Sequence, residues 1–351
     1  MQLRVLVVDD STLMRRLIRD ILSADPAIEV QAEAPDGPTA IRLIHELHPD
    51  VVTLDVEMPG MSGLDVLGYV MSEVPTPVIV LTGRQDADLA MRALALGAVD
   101  FMRKPSGTIS VDLYKVRDEL VEKVKLAPLA NLRQAHLLEG LAAPVQQPKQ
   151  LNAESGDAPS WAVVIGASTG GPPALTRLLS AIPAGLPAGL LVVQHMPAGF
   201  TRSLAQRLND QSALHVTEAE DGTPFRPGWA YIAPGGHHLV VQAAGAEGAT
   251  VRLDDSPPLG TLRPAVDVTM KAAAALFGRH TLGVLLTGMG QDGTSGFRTI
   301  REAGGRTIAQ DRQTSLIYGM PRAAADQGLV DQVLPLDAIP PAIARVVTEE
   351  N

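Results

Sequence analysis

The 351-residue sequence contains no cysteine. Disulfide bonds, thiolate zinc sites and cysteine nucleophiles are therefore excluded, and covalent catalysis would need another side chain. Aromatic residues are scarce, at 3%, whereas hydrophobic residues make up 46% of the chain. The composition thus predicts well-filled cores that are built mainly from aliphatic side chains.

Excess positive charge is also absent, because the formal net charge is −10. Binding to nucleic acid needs clustered basic residues, so this balance argues against a nucleic-acid partner. No apolar run reaches the length of a membrane span, and the first residues predict a short strand rather than a signal peptide. We therefore expect a cytoplasmic protein that is not inserted in a membrane.

Apolar runs and helical spacings alternate twice along the chain, which predicts two α/β domains, each with a doubly wound parallel sheet. Residues 1–124 fit a smaller, flavodoxin-like domain and residues 160–351 a larger, Rossmann-like one with an antiparallel insertion near 228–254. The stretch 125–159 is polar and rich in proline, so we expect a linker there, with one helix over Leu129–Leu141. The predicted strands are Leu3–Val8, Ile28–Glu33, Val51–Leu54, Val78–Leu81, Ala98–Met102, Trp161–Ile165, Leu190–Gln194, Leu214–Glu218, Gly228–Ala233, His238–Gln242, Thr250–Leu253, Leu282–Thr287 and Arg306–Ala309.

Polar side chains follow several predicted strands of the first domain. Asp9 and Asp10 end the first strand, Asp55 the third, Thr82 the fourth and Lys104 the fifth. Carboxyl ends of parallel strands share one edge of the sheet. Three carboxylates there would repel each other without a cation, and hard oxygen ligands suit Mg²⁺. A lysine at the same edge could contact a phosphoryl group.

A serine lies between glycines at a predicted strand-to-helix turn, in the segment Gly166-Ala-Ser-Thr-Gly-Gly171. Such a turn exposes a hydroxyl beside free backbone N–H groups. His195 and Asp292 follow two other strands of the same predicted sheet. The pattern predicts Ser168 as nucleophile, His195 as general base and Asp292 as its orienting carboxylate.

The developing oxyanion of an acyl transfer needs preorganised donors. We expect them among the backbone N–H groups at Thr169, Gly170 and Met289.

Two other interpretations of this segment are less favourable. A dinucleotide site would need glycine where Ser168 stands, and an acidic residue where the next strand ends in Gln194-His195. An ordinary α/β-hydrolase has the chain order serine, acid, histidine. Asp267 with His280 would restore that order, but both lie in or beside one predicted helix.

Residues 3–122 resemble the receiver domain of two-component response regulators. The match rests on Asp9-Asp10, Asp55, Met58-Pro59-Gly60, Thr82, Gly97-Ala98 and Lys104-Pro105. The resemblance implies that Asp55 accepts phosphate from a histidine kinase. It also implies that Asp10, Asp55 and the carbonyl of Glu57 hold Mg²⁺, with help from Asp9. Thr82 and Phe101 would form the pair that responds to phosphorylation, and Lys104 would contact the phosphoryl group.

The second domain resembles the protein-glutamate methylesterase family of chemotaxis. The match rests on Ile165–Gly171, Gln194–Thr201, Tyr231–Gly235, Leu285–Gly290 with Asp292-Gly293, Ala309–Asp311 and Tyr318–Arg322. This implies hydrolysis of γ-glutamyl methyl esters on the cytoplasmic domains of chemoreceptors, releasing methanol, and deamidation of receptor glutamines. In such proteins the unphosphorylated receiver covers the active site. We expect a monomer without a cofactor in this domain.

One segment departs from the family pattern. Leu262 and Ala265 stand where histidine and serine are usual. Catalysis should survive this change, whereas receptor preference could differ. A non-enzymatic response regulator, acting by binding a partner, is the alternative function; a DNA-binding output is disfavoured by the acidic chain.

Overall fold

The computed structural model describes residues 2–83, 87–104, 111–132, 159–245 and 248–349. The chain forms two compact units, Met1–Gly140 and Leu141–Asn351. A helix over Val111–Leu126 is followed by a 3₁₀ turn at Ala127–Leu129. The helix predicted over Leu129–Leu141 lies largely outside the described residues.

The first unit is a five-stranded, all-parallel sheet with the strand order β2-β1-β3-β4-β5. The order reverses between β1 and β3, which is where a doubly wound fold places its site. β3 and β4 are buried at every residue, as expected for strands covered by helices on both faces. The strands are β1 (Leu3–Val8), β2 (Ile28–Ala34), β3 (Val51–Asp55), β4 (Val78–Thr82) and β5 (Asp100–Arg103), and the helices are α1 (Thr12–Ser23), α2 (Gly37–Leu47), α3 (Gly63–Glu73), α4 (Ala87–Ala95) and α5 (Val111–Leu126).

The second unit contains a seven-stranded parallel sheet with the strand order β14-β13-β12-β6-β7-β9-β8. Its strands are β6 (Trp161–Ala167), β7 (Ala188–Gln194), β8 (His215–Glu218), β9 (Trp229–Ile232), β12 (Thr281–Leu285), β13 (Arg306–Gln310) and β14 (Gln332–Leu334). Its helices are α6 (Gly171–Ser180), α7 (Phe200–Gln211), α8 (Val266–Phe277), α9 (Thr294–Glu302), α10 (Met320–Asp326) and α11 (Ile339–Glu349), with 3₁₀ turns at Gly278–His280 and Leu336–Ala338.

The predicted antiparallel insertion is present but shorter than expected. It consists of β10 (His238–Ala243) and β11 (Ala249–Asp254), which pair only with each other. β9, which lies inside the predicted range, instead pairs in parallel with β7 and β8. Burial explains this pairing, because three of the four residues of β9 are buried, as in an inner parallel strand.

The few aromatic residues of the second unit are concentrated in its interior. Trp161, Tyr231, Phe200 and Phe297 are the largest fully buried side chains in the described part of the chain. Trp161 begins β6 and so anchors the amino end of the central strand. A rigid sheet core therefore supports the loops at the opposite, carboxyl edge.

Candidate active site

The turn after β6 holds Ser168 between the central strand and α6. The Ser168 N–H donates to the carbonyl of Thr287 (3.1 Å), and the Gly171 N–H donates to the carbonyl of Ser168 (2.7 Å). Gly170 has a φ of 76°, in the left-handed region that favours glycine. These bonds fix the serine backbone in a tight turn, as the glycine-flanked sequence predicted.

His195 lies on the neighbouring strand, one step beyond the paired residues Ala167 and Gln194. The His195 N–H donates to the carbonyl of Ala167 (3.1 Å), which extends the ladder to the end of β6. Ser168 and His195 therefore occupy adjacent strand ends. β12 flanks β6 on its other side, and the loop after β12 carries Asp292. The structure thus brings the three predicted side chains to one edge of the sheet.

Asp292 accepts four hydrogen bonds. His195 Nε2 lies 2.8 Å from Asp292 Oδ2, and the Val266 N–H donates to the same oxygen (2.7 Å). The N–H groups of Asp267 and Gly293 donate to Oδ1, each at 3.0 Å. Burial acts to raise the pKa of Asp292, but the imidazole and the backbone donors outweigh it, so the pKa lies below its usual value. The carboxylate therefore stays ionised beside the imidazole.

The Ser168 hydroxyl and the His195 ring share no hydrogen bond among the described residues. Since Nε2 is engaged with Asp292, Nδ1 is the ring nitrogen that remains for the hydroxyl. Catalytic hydrogen bonds are often long in free enzymes and shorten when substrate binds. The backbone register places both residues at neighbouring strand ends, on the same edge of the sheet.

The loop after β12 passes directly over the serine turn. A Cβ placed on Gly288 would lie 2.8 Å from the Cβ of Ser168, so only glycine allows this approach. The N–H groups of Gly170 and Met289 donate to no acceptor within the described ranges. The Thr169 hydroxyl donates to Met289 Sδ (3.0 Å) and so ties the turn to this loop. The three predicted oxyanion residues thus lie together.

Thr287 is a buried residue of the site that the sequence analysis missed. Its hydroxyl donates to the carbonyl of Thr169 (2.9 Å) and accepts from the N–H of Ile317 (3.0 Å). Its own N–H donates to Gln310 Oε1 (2.7 Å). One side chain therefore joins the serine turn to the segment before α10. The sequence shows only that Thr287 ends a predicted strand. Its hydrogen-bond partners are distant in sequence, so its role in the site could not be predicted.

Gln194 is a second missed residue. Its side-chain Nε2 donates to the carbonyls of Ser168 (2.9 Å) and His195 (3.1 Å), and the residue is 2% exposed. Because both partners are acceptors, the orientation of the amide is fixed. A Cβ on Gly171 would lie only 1.8 Å from Gln194 Oε1, so the turn has room for the amide only because residue 171 is glycine. Gln194 therefore links the backbones of the predicted nucleophile and base.

Gln194→Met is expected to lower kcat for ester hydrolysis about tenfold to a hundredfold, with little change in KM. Methionine fills a similar volume but cannot donate to the two carbonyls, so the nucleophile and base lose their fixed spacing. Steady-state methanol release measures both constants. Gln242→Met, at an exposed position of β10, is the matched control. A Gln194→Met protein with the wild-type kcat would rule out this positioning role.

The two residues that depart from the family pattern, Leu262 and Ala265, lie in different surroundings. Leu262 is partly exposed, whereas Ala265 is buried and is the N-cap residue of α8. The Ala265 side chain cannot cap the helix; instead its N–H donates to Nδ1 of the buried His238 (3.2 Å). With Asp292 accepting the next two N–H groups, the helix start keeps its hydrogen bonds without a serine.

The alternative order with Asp267 and His280 is not supported by the geometry. Asp267 Oδ1 accepts from the Gly296 N–H (2.6 Å) at the start of α9. His280 lies before β12, at the amino edge of the sheet, where its ring packs against Trp161 (5.2 Å between centroids). The two side chains therefore lie at opposite edges of the sheet and form no catalytic pair.

The acidic residues of the first unit also converge. One carboxylate oxygen from each of Asp9, Asp10 and Asp55 lies within 4.8 Å of the others. Lys104 Nζ lies 2.6 Å from Asp55 Oδ2 and 3.0 Å from Asp9 Oδ2. Three clustered carboxylates are hard oxygen ligands of the kind that a divalent cation such as Mg²⁺ prefers, so the residues fit the predicted ion.

The remaining predicted switch residues lie close by in the fold. Thr82 ends β4, next to β3, and its buried hydroxyl has no hydrogen-bond partner among the described residues. Phe101 is buried on β5. The Glu57 side chain is exposed, and its N–H donates to Asp55 Oδ1 (3.1 Å). Thr82 and Glu57 therefore lie at the carboxyl edge beside Asp55, whereas Phe101 lies on β5, two strands from β3.

Charge and burial oppose each other at Asp55. Burial raises its pKa, and the charge of Asp9 adds to this, while Lys104 acts in the opposite direction without cancelling it. Burial lowers the pKa of Lys104, but hydrogen bonds and charge attraction from Asp55 and Asp9 outweigh it and leave that pKa raised. The lysine therefore stays protonated beside a carboxylate that is unfavourably buried.

Asp55→Asn is expected to stabilise the first unit at pH 7 when no metal is present. A raised folded-state pKa means that stability falls as pH rises from the unfolded value of about 4 through the folded value. The gain from the neutral amide should thus be present at pH 7 and vanish near pH 4. Scanning calorimetry of the full chain in EDTA measures it. A variant that is less stable at pH 7 would mean that pairing with Lys104 outweighs burial.

Comparisons with known proteins agree with this architecture. Residues 163–343 match the CheB methylesterase family, and residues 5–112 match the response regulator receiver domain family. The protein-glutamate methylesterase/protein-glutamine glutaminase of Symbiobacterium thermophilum is 47% identical over 358 residues, covering 99% of this chain and 98% of that protein. The protein of the same name from Pyrococcus abyssi is 45% identical over 349 residues, covering 99% and 94%.

A solved structure is similar to the second unit. The crystal structure of the Thermotoga maritima CheB methylesterase catalytic domain has 45% sequence identity and a TM-score of 0.52, and the match covers 53% of this chain and 98% of that one. Fold and comparisons together define a response regulator with a receiver domain and a methylesterase output domain of α/β architecture. The chain belongs to the CheB family of protein-glutamate methylesterases. Within the described ranges, no helix is long and apolar enough to cross a membrane.

Proposed function

We propose that this protein is a phosphorylation-activated serine hydrolase that removes methyl groups from glutamate methyl esters of chemoreceptors. The observation that carries the proposal is the hydrogen bond between His195 Nε2 and Asp292 Oδ2 (2.8 Å), at the strand end next to the Ser168 turn. The full-length similarity to enzymes named for this activity supports the substrate class. The same site would release ammonia from receptor glutamines.

The proposed reaction is an acyl transfer in two stages. As the Ser168 Oγ attacks the ester carbonyl carbon, His195 Nδ1 takes the hydroxyl proton. Backbone N–H groups at Gly170 and Met289, with Thr169 beside them, would face the oxyanion of the tetrahedral intermediate. When the carbon–oxygen bond breaks, the imidazolium returns its proton to the leaving oxygen, and methanol departs. Water then attacks the glutamyl–serine ester by the reverse proton path and frees the glutamate side chain.

Asp292 would act on the base rather than on the substrate. Its ionised carboxylate holds the proton-bearing Nε2 and favours the imidazolium that forms during attack. The start of α8 keeps this carboxylate in place, since the Val266 and Asp267 N–H groups donate to both of its oxygens. The Asp292 carboxylate is therefore positioned by the start of a helix, whereas Ser168 and His195 are positioned by the ends of strands.

The first unit would control this activity. We propose that Asp55 accepts a phosphoryl group from a chemotaxis-type histidine kinase, and that Asp10, Asp55 and the Glu57 carbonyl hold Mg²⁺ with help from Asp9. The ion, when bound, neutralises charge on the transferred group. Lys104 would contact that group, and Thr82 and Phe101 would respond to it. Phosphorylation would then raise the activity of the hydrolase.

We assign the receiver to 1–124, the linker to 125–159 and the hydrolase to 160–351, in a cytoplasmic monomer that binds no nucleic acid. Leu262 lies in the loop before α8 and is a candidate for differences in receptor preference. The hydrolase domain would need no cofactor.

Methanol release from methylated receptor membranes tests the proposal. The full-length protein should release methanol, and acetyl phosphate with Mg²⁺ should increase the rate. Normal phosphorylation of Asp55 without methanol from any of several receptors would contradict the hydrolase and favour a response regulator that acts by binding a partner.

A further inference from the structure

Met289 lies at the point where the two oxyanion segments meet. It follows Gly288 in the loop over the serine turn, and its Sδ accepts a hydrogen bond from the Thr169 hydroxyl (3.0 Å). The residue is partly exposed, and its backbone N–H is one of the donors proposed for the oxyanion. A chemical change at this sulfur would therefore act directly on the catalytic site.

The second unit offers few competing targets for an oxidant. The chain has no cysteine. Of the four methionines in Leu141–Asn351, Met196 is 6% exposed, and Met270 and Met320 are fully buried. Met289 is the only one of the four that is not buried. Because oxidation of methionine follows the accessibility of its sulfur, this residue is the one that a small peroxide would reach first.

We propose that Met289 is a site of reversible oxidation that switches off the hydrolase, an inference that rests on the proposed function. The thioether sulfur attacks one oxygen of hydrogen peroxide, the O–O bond breaks, and the second oxygen leaves as water after proton transfer. The methionine is oxidised to its sulfoxide by two electrons, and the peroxide is reduced. Thiol-dependent reductases return the sulfoxide to methionine.

The effect follows from the change in geometry and polarity. A sulfoxide is pyramidal and polar, and its oxygen is a stronger acceptor than the thioether. The Thr169 hydroxyl would follow the new oxygen, so the link between the serine turn and the loop would change length and direction. Removing a single oxyanion donor typically costs about 10²–10³ in kcat. We therefore expect oxidation to lower methanol release at least tenfold.

The experiment treats the full-length protein with hydrogen peroxide and follows two readouts. Peptide mass spectrometry should show sulfoxide at Met289 before Met196, Met270 or Met320. Methanol release should fall at least tenfold over the same period and recover after incubation with methionine sulfoxide reductases and dithiothreitol.

Two variants test whether oxidation of Met289 causes the loss of activity. The Met289→Leu variant should have the same activity after peroxide treatment as before the treatment. Met61→Leu removes a methionine of the first unit that is 36% exposed and should remain as peroxide-sensitive as the wild type. Complete oxidation of Met289 without loss of activity, or an equal loss in Met289→Leu, would overturn the proposal. If the untreated protein releases no methanol, the proposed function itself fails, and the switch fails with it.

Discussion

Ser168→Ala is expected to lower methanol release roughly 10⁴-fold or more, to the background of the assay. The hydroxyl is the only part of the side chain that the variant removes, so the turn and its backbone hydrogen bonds should remain. Without Oγ no acyl-enzyme can form, and the His195–Asp292 pair has no proton to accept. Methanol release from methylated receptor, measured with and without acetyl phosphate, gives the result directly.

A serine just before the same strand provides a matched control. Ser160 precedes Trp161 at the amino end of β6 and is exposed, so Ser160→Ala changes the same residue type at the opposite edge of the sheet. Its activity should equal that of the wild type. Phosphorylation of Asp55 should be unchanged in both variants, which would show that the first unit remains folded. Full activity in Ser168→Ala would refute the assignment of the nucleophile.

The elements that position these residues could be predicted because their signals are local. Apolar runs bounded by turn residues located β6, β7 and β12, and the rule for parallel sheets then placed Ser168, His195 and Asp292 at one edge. β14 escaped prediction since it is three residues long and mostly exposed. The last helix, α11, was not predicted either. It begins with Ile339-Pro-Pro, and although proline is tolerated in the first turn of a helix, the two prolines weaken the helical pattern of the sequence.

The supporting contacts could not be predicted from the sequence. The Thr287 hydroxyl reaches the Thr169 carbonyl across 118 positions of the chain, and the Gln194 amide bridges two carbonyls that carry no side-chain signal. Periodicity identifies which face of an element is buried, but not which buried polar atoms meet. The contact of His195 Nε2 with Asp292 could not be predicted either, because the sequence does not indicate which ring nitrogen faces the carboxylate.

Asp55→Asn is expected to leave basal methanol release unchanged and to abolish its stimulation, so that the rates with and without acetyl phosphate become equal. Asp55 ends the third strand, buried and 2.6 Å from Lys104 Nζ. The amide keeps the size of the side chain but lacks the anionic oxygen that, in the proposed function, would attack phosphorus. It also removes one of three clustered carboxylates, which weakens the site for the divalent cation.

Asp50 provides the control for this variant, because it stands immediately before β3, at the opposite end of the same strand. Asp50→Asn removes the negative charge that pairs with Arg4 (3.0 Å) but leaves the acidic cluster intact. A solvent-exposed pair of this kind contributes little to stability, so this protein should fold and still respond to the phosphodonor. An Asp55→Asn protein that is still stimulated would exclude gating through this residue. Loss of stimulation in Asp55→Asn alone would locate the signal at the carboxyl edge of the receiver sheet, separate from the chemistry at Ser168.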